Sequence, residues 1–311
     1  MRLPPFAQRL HQFLPRAALA APCVLALAVA PAPAAAQNLF VASANGDAVS
    51  QVTPEGVVSL FASGFDSPIG LAFNASGTLF VANNSGGTIS QVTPVGVVSS
   101  FASGFENLVG LASSTSGDLF ATTQGGITGT DAVWRVNPAG VVSEFASAGL
   151  SSPWGMAFNT GGDLFVANSG SNTISRVTSE GVVSEFASGF SQPTGLAFSA
   201  SGDLFVANYA NNSISRVTSG GVVSEFASGF SGPLGLAFNA GGDLFVVNGS
   251  IVSLVTPEGN VSTFAGGFGD AFGLAFAPIP EPAEVGLALG LGALALVVGG
   301  RLRRPRTKSA S

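Results

Sequence analysis

The amino-acid sequence predicts an all-β fold, a six-bladed β-propeller of four-stranded blades, on three observations. A Leu-Phe pair recurs at Leu39, Leu79, Leu119, Leu164, Leu204 and Leu244, at spacings of 40, 40, 45, 40 and 40 residues. A second marker, Gly-(Leu/Met)-Ala-(Phe/Ser), recurs at Gly70, Gly110, Gly155, Gly195, Gly235 and Gly273. A unit of about 40 residues that holds four short strands has the period of a propeller blade. The third observation is a permutation of the ends. The array starts with strands two to four, Leu39 to Ala62, and finishes with strand one alone, Gly273 to Ala277. Those fragments complete a blade only if the ring closes on itself, pairing the last strand with the first three and leaving no open sheet edge. A stacked solenoid has no use for that permutation.

One unit shows how the strands are read. Gly195 to Phe198 predicts the first strand and Ser199-Ala200-Ser201-Gly202-Asp203 a turn. Leu204 to Asn208 is the second strand, followed by a polar turn through Asn212. Ser213 to Thr218 is the third, Ser219-Gly220-Gly221 a turn, and Val222 to Ala227 the fourth. Apolar, β-branched runs broken by Gly, Ser and Asn are strand-and-turn chemistry. Pro54-Glu55-Gly56, Pro94-Val95-Gly96 and Pro257-Glu258-Gly259 supply the preset φ and the left-handed position of a bulged hairpin turn.

The ends read as addresses. In residues 1–36, Arg2, Arg9 and Arg16 precede an apolar run, and Ala34-Ala35-Ala36 gives a small-residue cleavage site with Ala34 and Ala36 flanking the middle alanine. Cys23, the sole cysteine, lies in that run behind Ala20-Ala21-Pro22, a poor lipobox. Residues 37–278 form the propeller, and 279–311 a tripartite tail. In the tail Pro280-Glu281-Pro282 precedes the apolar run Ala283 to Gly300, then Arg301, Arg303, Arg304, Arg306 and Lys308. The run rises about 27 Å as a helix, enough for one C-terminal transmembrane span, and the cations would stay cytoplasmic.

This tail closely resembles the PEP-CTERM sorting signal of Gram-negative bacteria. The resemblance implies export through the Sec machinery and transient membrane anchoring. It further implies recognition and cleavage by an exosortase, and release to the cell surface or exterior in company with exopolysaccharide. The blade text Pro-x-Gly-Leu-Ala-Phe, Gly-Asp-Leu-Phe-Val-Ala-Asn and Ile-Ser-Arg-Val, as in Pro193 to Val217, resembles NHL-type and gluconolactonase-like propellers and the virginiamycin B lyase family. The fold follows from that resemblance; function does not, since such propellers include enzymes and pure binding scaffolds.

Between Gln37 and Pro278 the chain carries 15 acidic residues against Arg135, Arg176 and Arg216, a net of −12. Phosphate backbones need cationic partners, which excludes nucleic acid as a ligand. The same segment holds no His, Cys or Lys. Serine–histidine and cysteine–histidine nucleophiles, Schiff bases and zinc held by nitrogen or sulfur are therefore absent from it. The lyase resemblance implies a catalytic histidine, and the chain has only His11, ahead of the propeller.

The lactonase resemblance implies a channel Ca²⁺ held by carboxylate and Asn, with Asn83, Asn168, Asn208 and Asn248 at the end of strand two as the recurring donors. A cation site of that kind takes six to eight oxygens. The other reading of these asparagines is turn capping. Asp118, Asp163, Asp203 and Asp243, repeated at one turn position, read as turn chemistry. Arg135, Arg176 and Arg216 occur in the units that carry Glu144, Glu185 and Glu225, which predicts three rim ion pairs.

The position before each first-strand glycine differs in all six units: Ile69, Val109, Trp154, Thr194, Leu234 and Phe272. These residues are expected to ring one mouth of the channel. Tyr209, Asp66, Glu106, Asp270 and the extra residues around Gly125 to Asp131 are expected on the same face. The expectation is an exported binding or scaffold propeller that is not an enzyme, needs no cofactor, and meets a polysaccharide or extracellular protein. The alternative is a Ca²⁺-dependent lactonase or hydrolase.

Overall fold

The computed structural model describes residues 37–125 and 131–279. The cleavage site at Ala34 and Ala36, the Pro280-Glu281-Pro282 motif and the apolar run after it lie outside the described residues. Among the described residues no helix is long and apolar enough to cross a membrane.

The described chain forms six antiparallel sheets of four strands each. The first blade joins Ala271–Phe276 to Leu39–Ser43, Ala48–Val52 and Val58–Ser63, in that order. Leu39 pairs with Phe276 and Val41 with Leu274, so the last strand closes the ring as the permutation predicts. In the fifth blade the order from axis to rim is Pro193–Phe198, Leu204–Asn208, Ser213–Val217 and Val223–Ser228. The first strand thus starts at Pro193, two residues before the predicted Gly195. Proline is tolerated at a strand's first position, where a ladder N–H is not required.

Close approach at the axis explains the invariant glycine. A Cβ on Gly70 would lie 2.5 Å from the Val109 carbonyl oxygen, on Gly110 2.3 Å from that of Trp154, and on Gly155 2.4 Å from that of Thr194. The series continues with Gly195 on Leu234 at 2.1 Å, Gly235 on Phe272 at 2.6 Å and Gly273 on Ile69 at 2.2 Å. Each blade leans on the next, the fifth contact reaching the first blade and the sixth returning to the second, where the series began. A side chain at any of these points would push two innermost strands apart.

Every innermost strand carries a bulge at this point: Pro193 faces Asn208, but Leu196 faces Val206. The outer strands carry another, as Ile214 faces Ala227 and Ser215 faces Glu225. The second bulge lets adjacent residues such as Phe226 and Ala227 both turn toward protein, which strict alternation would forbid.

The core lies between blades. The leucine of each Leu-Phe pair is 1% exposed, and in five of the six pairs the phenylalanine packs edge-to-face on two others. Phe165 meets Phe186 at 4.9 Å in its own blade and Phe198 of the next blade at 5.1 Å. Such pairs contribute about 0.5–1.5 kcal/mol each beyond burial. Five junctions have this triad; at the junction of the second and third blades Ser113 replaces the third ring beside Phe80 and Phe101.

The predicted arginine–glutamate pairs are not formed. Arg135, Arg176 and Arg216 pair instead with Asp118, Asp163 and Asp203 at 2.6, 2.8 and 2.6 Å. Register is the cause. Arg176 faces Phe165 on one side and Ser184 on the other, whereas Glu185 faces Ser175, so arginine and glutamate emerge on opposite faces of the sheet. Asp163, two residues before Phe165, shares the face of Arg176.

Candidate functional site

The bulged innermost strands converge on a narrow channel. Its cavity of about 110 Å³ is lined by Ile69, Val109, Trp154, Leu234 and Phe272 together with the six glycines. Five of the six residues expected at the channel mouth are therefore there. Thr194 takes the same position in the fifth blade but is only 3% exposed, and its hydroxyl donates to the Pro233 carbonyl at 3.1 Å. Val109 is also 3% exposed; the other four are half-buried. The channel offers apolar side chains and backbone carbonyls and no ionisable group.

The face around the mouth is built from the loops that follow the second and fourth strands. Asp47, Asp66, Glu106, Asp131 and Asp270 lie in those loops, whereas the three arginines lie near the opposite ends of their strands. Several carboxylates hold the loops in shape. Asp47 accepts the Ser67 N–H at 2.9 Å, and Asp131 accepts those of Gly125 at 2.9 Å and Ser152 at 2.6 Å. Asp270 accepts from the Asn45 amide.

Tyr209 is 47% exposed on this face, and its ring lies against Gly232, where a Cβ would come within 2.9 Å of it. It sits outside the channel lining. Residues 126–130 of the third blade's longer loop are not among those described.

The asparagines that end the second strands do not fit a cation site. Asn168 is fully buried; its Nδ2 donates to Ser175 at 2.8 Å and Thr173 at 3.3 Å, and its Oδ1 accepts the Ser151 N–H at 3.2 Å. Asn208 repeats this with Ser215, Ser213 and Ser191, and Asn83 with Ser90, Thr88 and Asp66. Asn248 does so with Ser253 and Ser231. Each amide ties the lead-in loop of its own blade to hydroxyls of the third strand, and none of these bonds goes to the turn that follows the second strand. Among the described residues no three of His, Cys, Asp and Glu come together as a metal-binding group.

The third blade departs from this pattern. Thr123 stands in the asparagine position and accepts from the Trp134 indole at 2.9 Å. Thr122, fully buried, accepts the Gly110 N–H at 2.8 Å and donates to the Trp154 carbonyl at 2.6 Å. Sequence reasoning passed over this link, although the change from Val-Ala-Asn to Ala-Thr-Thr in one copy marks it.

On the opposite face, Glu55 and Glu180 sit in exposed turns. The Thr53 hydroxyl and the backbone hold the Glu55 carboxyl below the usual glutamate range; the Ser179 and Thr178 hydroxyls do the same for Glu180.

The fold recurs among known structures at low identity. A catalytically inactive histidine-to-alanine variant of Staphylococcus aureus virginiamycin B lyase, with quinupristin, is 19% identical over 79% of this chain and 75% of its own, with a TM-score of 0.52. A chain of a nidogen/laminin complex is 16% identical over 78% of this chain and 98% of its own, at 0.69. A gluconolactonase from Xanthomonas campestris is 19% identical over 79% of this chain and 91% of its own, at 0.61. At these identities the likeness is one of fold. No curated protein is significantly similar in sequence. The family model for virginiamycin B lyases matches residues 67–272, from the first blade's exit loop to the last innermost strand, and on that match the chain belongs to the virginiamycin B lyase family.

Proposed function

We propose that this chain is an exported, non-catalytic member of its family, a propeller that binds an extracellular ligand at the channel mouth. One observation carries the reading: residues 37–278 contain no histidine, cysteine or lysine. In the Staphylococcus aureus relative a histidine-to-alanine variant is catalytically inactive. This propeller has no histidine with which to do that work, and no thiol or amine to replace it.

What it keeps is a recognition surface. Ile69, Val109, Trp154, Leu234 and Phe272 offer an apolar socket that differs from blade to blade, with Thr194 beneath it and Tyr209 further out. The surrounding carboxylates favour a neutral or cationic ligand over an anionic one. The segments before and after the propeller support export by Sec, sorting by an exosortase at Pro280-Glu281-Pro282, and a final place at the cell surface among exopolysaccharide.

The test is direct. The full chain is incubated with quinupristin and its conversion is followed by liquid chromatography with tandem mass spectrometry. No product is expected; product that disappears on Trp154→Ala would overturn the proposal. Melting in excess Ca²⁺ and in chelator addresses the metal-dependent lactonase alternative. A cation at 100 times its dissociation constant would add about 2.7 kcal/mol, several degrees in a domain of this size. No shift is expected, and one abolished by Asn168→Ala would restore that alternative.

A further inference from the structure

The face opposite the channel mouth carries clefts between neighbouring blades. The cleft between the third and fourth blades encloses about 440 Å³. Its floor is the triad Phe120, Phe145 and Phe158, with ring centroids 4.9 and 5.2 Å apart. Short turns rich in Ser and Thr form its walls. Arg135 closes one side, bound to Asp118 at 2.6 Å with its side chain 51% exposed. Nε and Nη2 both donate to the same oxygen, Asp118 Oδ2. Of the five guanidinium N–H donors, three are therefore left free of Asp118.

The chain itself shows what such a cleft accepts. The equivalent cleft between the sixth and first blades, about 250 Å³ over Phe245, Phe264 and Phe276, is entered by Gln37. The Gln37 carboxamide donates from Nε2 to the Ala277 carbonyl at 2.7 Å and accepts the Ala240 N–H at 2.8 Å. A neutral, planar group that uses one donor and one acceptor thus shares the cleft with three phenyl rings. In the cleft of the third and fourth blades the position matching Gln37, two residues before the buried leucine, is Gly162, which has no side chain to fill it.

We propose that the cleft between the third and fourth blades binds a neutral saccharide unit. A pyranose has apolar C–H faces for the phenyl floor and hydroxyls for the Ser and Thr walls and for Arg135. A largely apolar pocket of this volume with a few converging polar groups is the general form of a small-ligand site. The net −12 of the propeller selects against uronate and sulfated chains. The same parts recur at the next two junctions, with Arg176 on Asp163 and Arg216 on Asp203. A repeating surface of this kind suits a repeating polymer, because linked units raise the effective concentration at each further cleft. The inference stands apart from the channel-mouth reading.

Maltohexaose, cellohexaose, laminarihexaose and xylohexaose are titrated into the full chain by calorimetry, with hexagalacturonate as the anionic probe. At least one neutral hexamer is expected to bind and hexagalacturonate is not. Thr160→Trp, on an exposed turn over the cleft, and Arg135→Gln should each weaken binding at least about tenfold, while melting remains cooperative. The proposal is overturned if none of the four binds at about 10 mM, well above ordinary weak affinities. It is also overturned if hexagalacturonate binds equally, or if Thr160→Trp is without effect while Trp154→Ala abolishes binding.

Discussion

Replacing Gly195 by alanine isolates the contact that closes the ring. The new methyl carbon would stand 2.1 Å from the Leu234 carbonyl oxygen and 3.0 Å from the Gly235 Cα, both backbone atoms of the next blade. No rotamer change relieves a clash with backbone, and the innermost strands cannot slide outward without opening five other contacts of the same kind. The cost therefore belongs at the upper end of overpacking, about 3 kcal/mol. In a domain of this size each kcal/mol moves melting by about 2–4 °C, so the variant should melt about 6–12 °C lower.

Gly202→Ala is the matched control. Its Cβ would meet nothing within 4 Å, and its φ of +85 imposes only the left-handed strain of about 1 kcal/mol. Thermal unfolding by far-UV circular dichroism decides between them. If Gly195→Ala costs no more than Gly202→Ala, the ring of glycine-on-carbonyl contacts does not hold the blades together and the account given for the second repeat marker is wrong.

Four further outcomes follow from the geometry. Asn168→Ala leaves the Ser175 hydroxyl and the Ser151 N–H without their buried partner and should cost about 2 kcal/mol by denaturant unfolding. Arg176→Gln should cost less than about 1 kcal/mol, the usual worth of an exposed pair. Arg135→Gln should cost more, about 2 kcal/mol, because the Asp118 it abandons is only 8% exposed. Ser113→Phe would complete the triad on Phe80 and Phe101 and should raise stability by about 1 kcal/mol; a loss would show that the site has closed around serine. Residues 37–278 hold no histidine, cysteine or lysine, and melting should change little from about pH 6 to 9. Below that window stability should fall: Glu55 and Glu180 are lowered in the folded state, so the unfolded chain takes up protons first, and Glu55→Gln with Glu180→Gln should flatten the acid limb.

The blades were legible because each is written six times. Leu39, Leu79, Leu119, Leu164, Leu204 and Leu244 bury identically, and the permuted ends left ring closure as the way to complete a blade. The channel lining was legible for a related reason: Ile69, Val109, Trp154, Leu234 and Phe272 vary among constant neighbours, and they meet at the axis. Side-chain pairing was not legible. Whether Arg176 reaches Asp163 or Glu185 depends on the length of the hairpin turn between them, which sets Arg176 opposite Ser184 and Glu185 opposite Ser175, and a shift of one residue exchanges the faces of a sheet. The inter-blade clefts were hidden for a different reason. They arise where turns from two blades meet, and a repeat read along one chain says little about contacts between copies.

A ring of identical blades surrounds its axis evenly, and an evenly lined ring cannot single out one orientation of an unsymmetrical ligand. Specificity has to come from the copies that differ, and here the differences gather in one blade. The third has Ser113 for phenylalanine, Thr122 and Thr123 for Ala-Asn, Trp134 for serine, and a loop after its second strand four residues longer than that of the fourth or fifth blade. Thr122 ties the channel bulge of this blade to the Trp154 carbonyl of the next, so the backbone that carries the largest side chain in the channel lining is held by the least regular blade. On the other face the same pair of blades forms the cleft that holds Arg135. The junction of the third and fourth blades is thus where the channel face breaks the symmetry, whereas the arginine–aspartate pair of its cleft repeats at the next two junctions. Exchanging Leu108–Ala146 for the corresponding residues of the fifth blade should preserve the fold and erase ligand preference at the channel mouth, while the cleft keeps its parts because Phe205, Phe226, Asp203 and Arg216 replace Phe120, Phe145, Asp118 and Arg135. A regularised ring that still bound its channel-mouth ligand with unchanged affinity would place recognition in the repeats themselves.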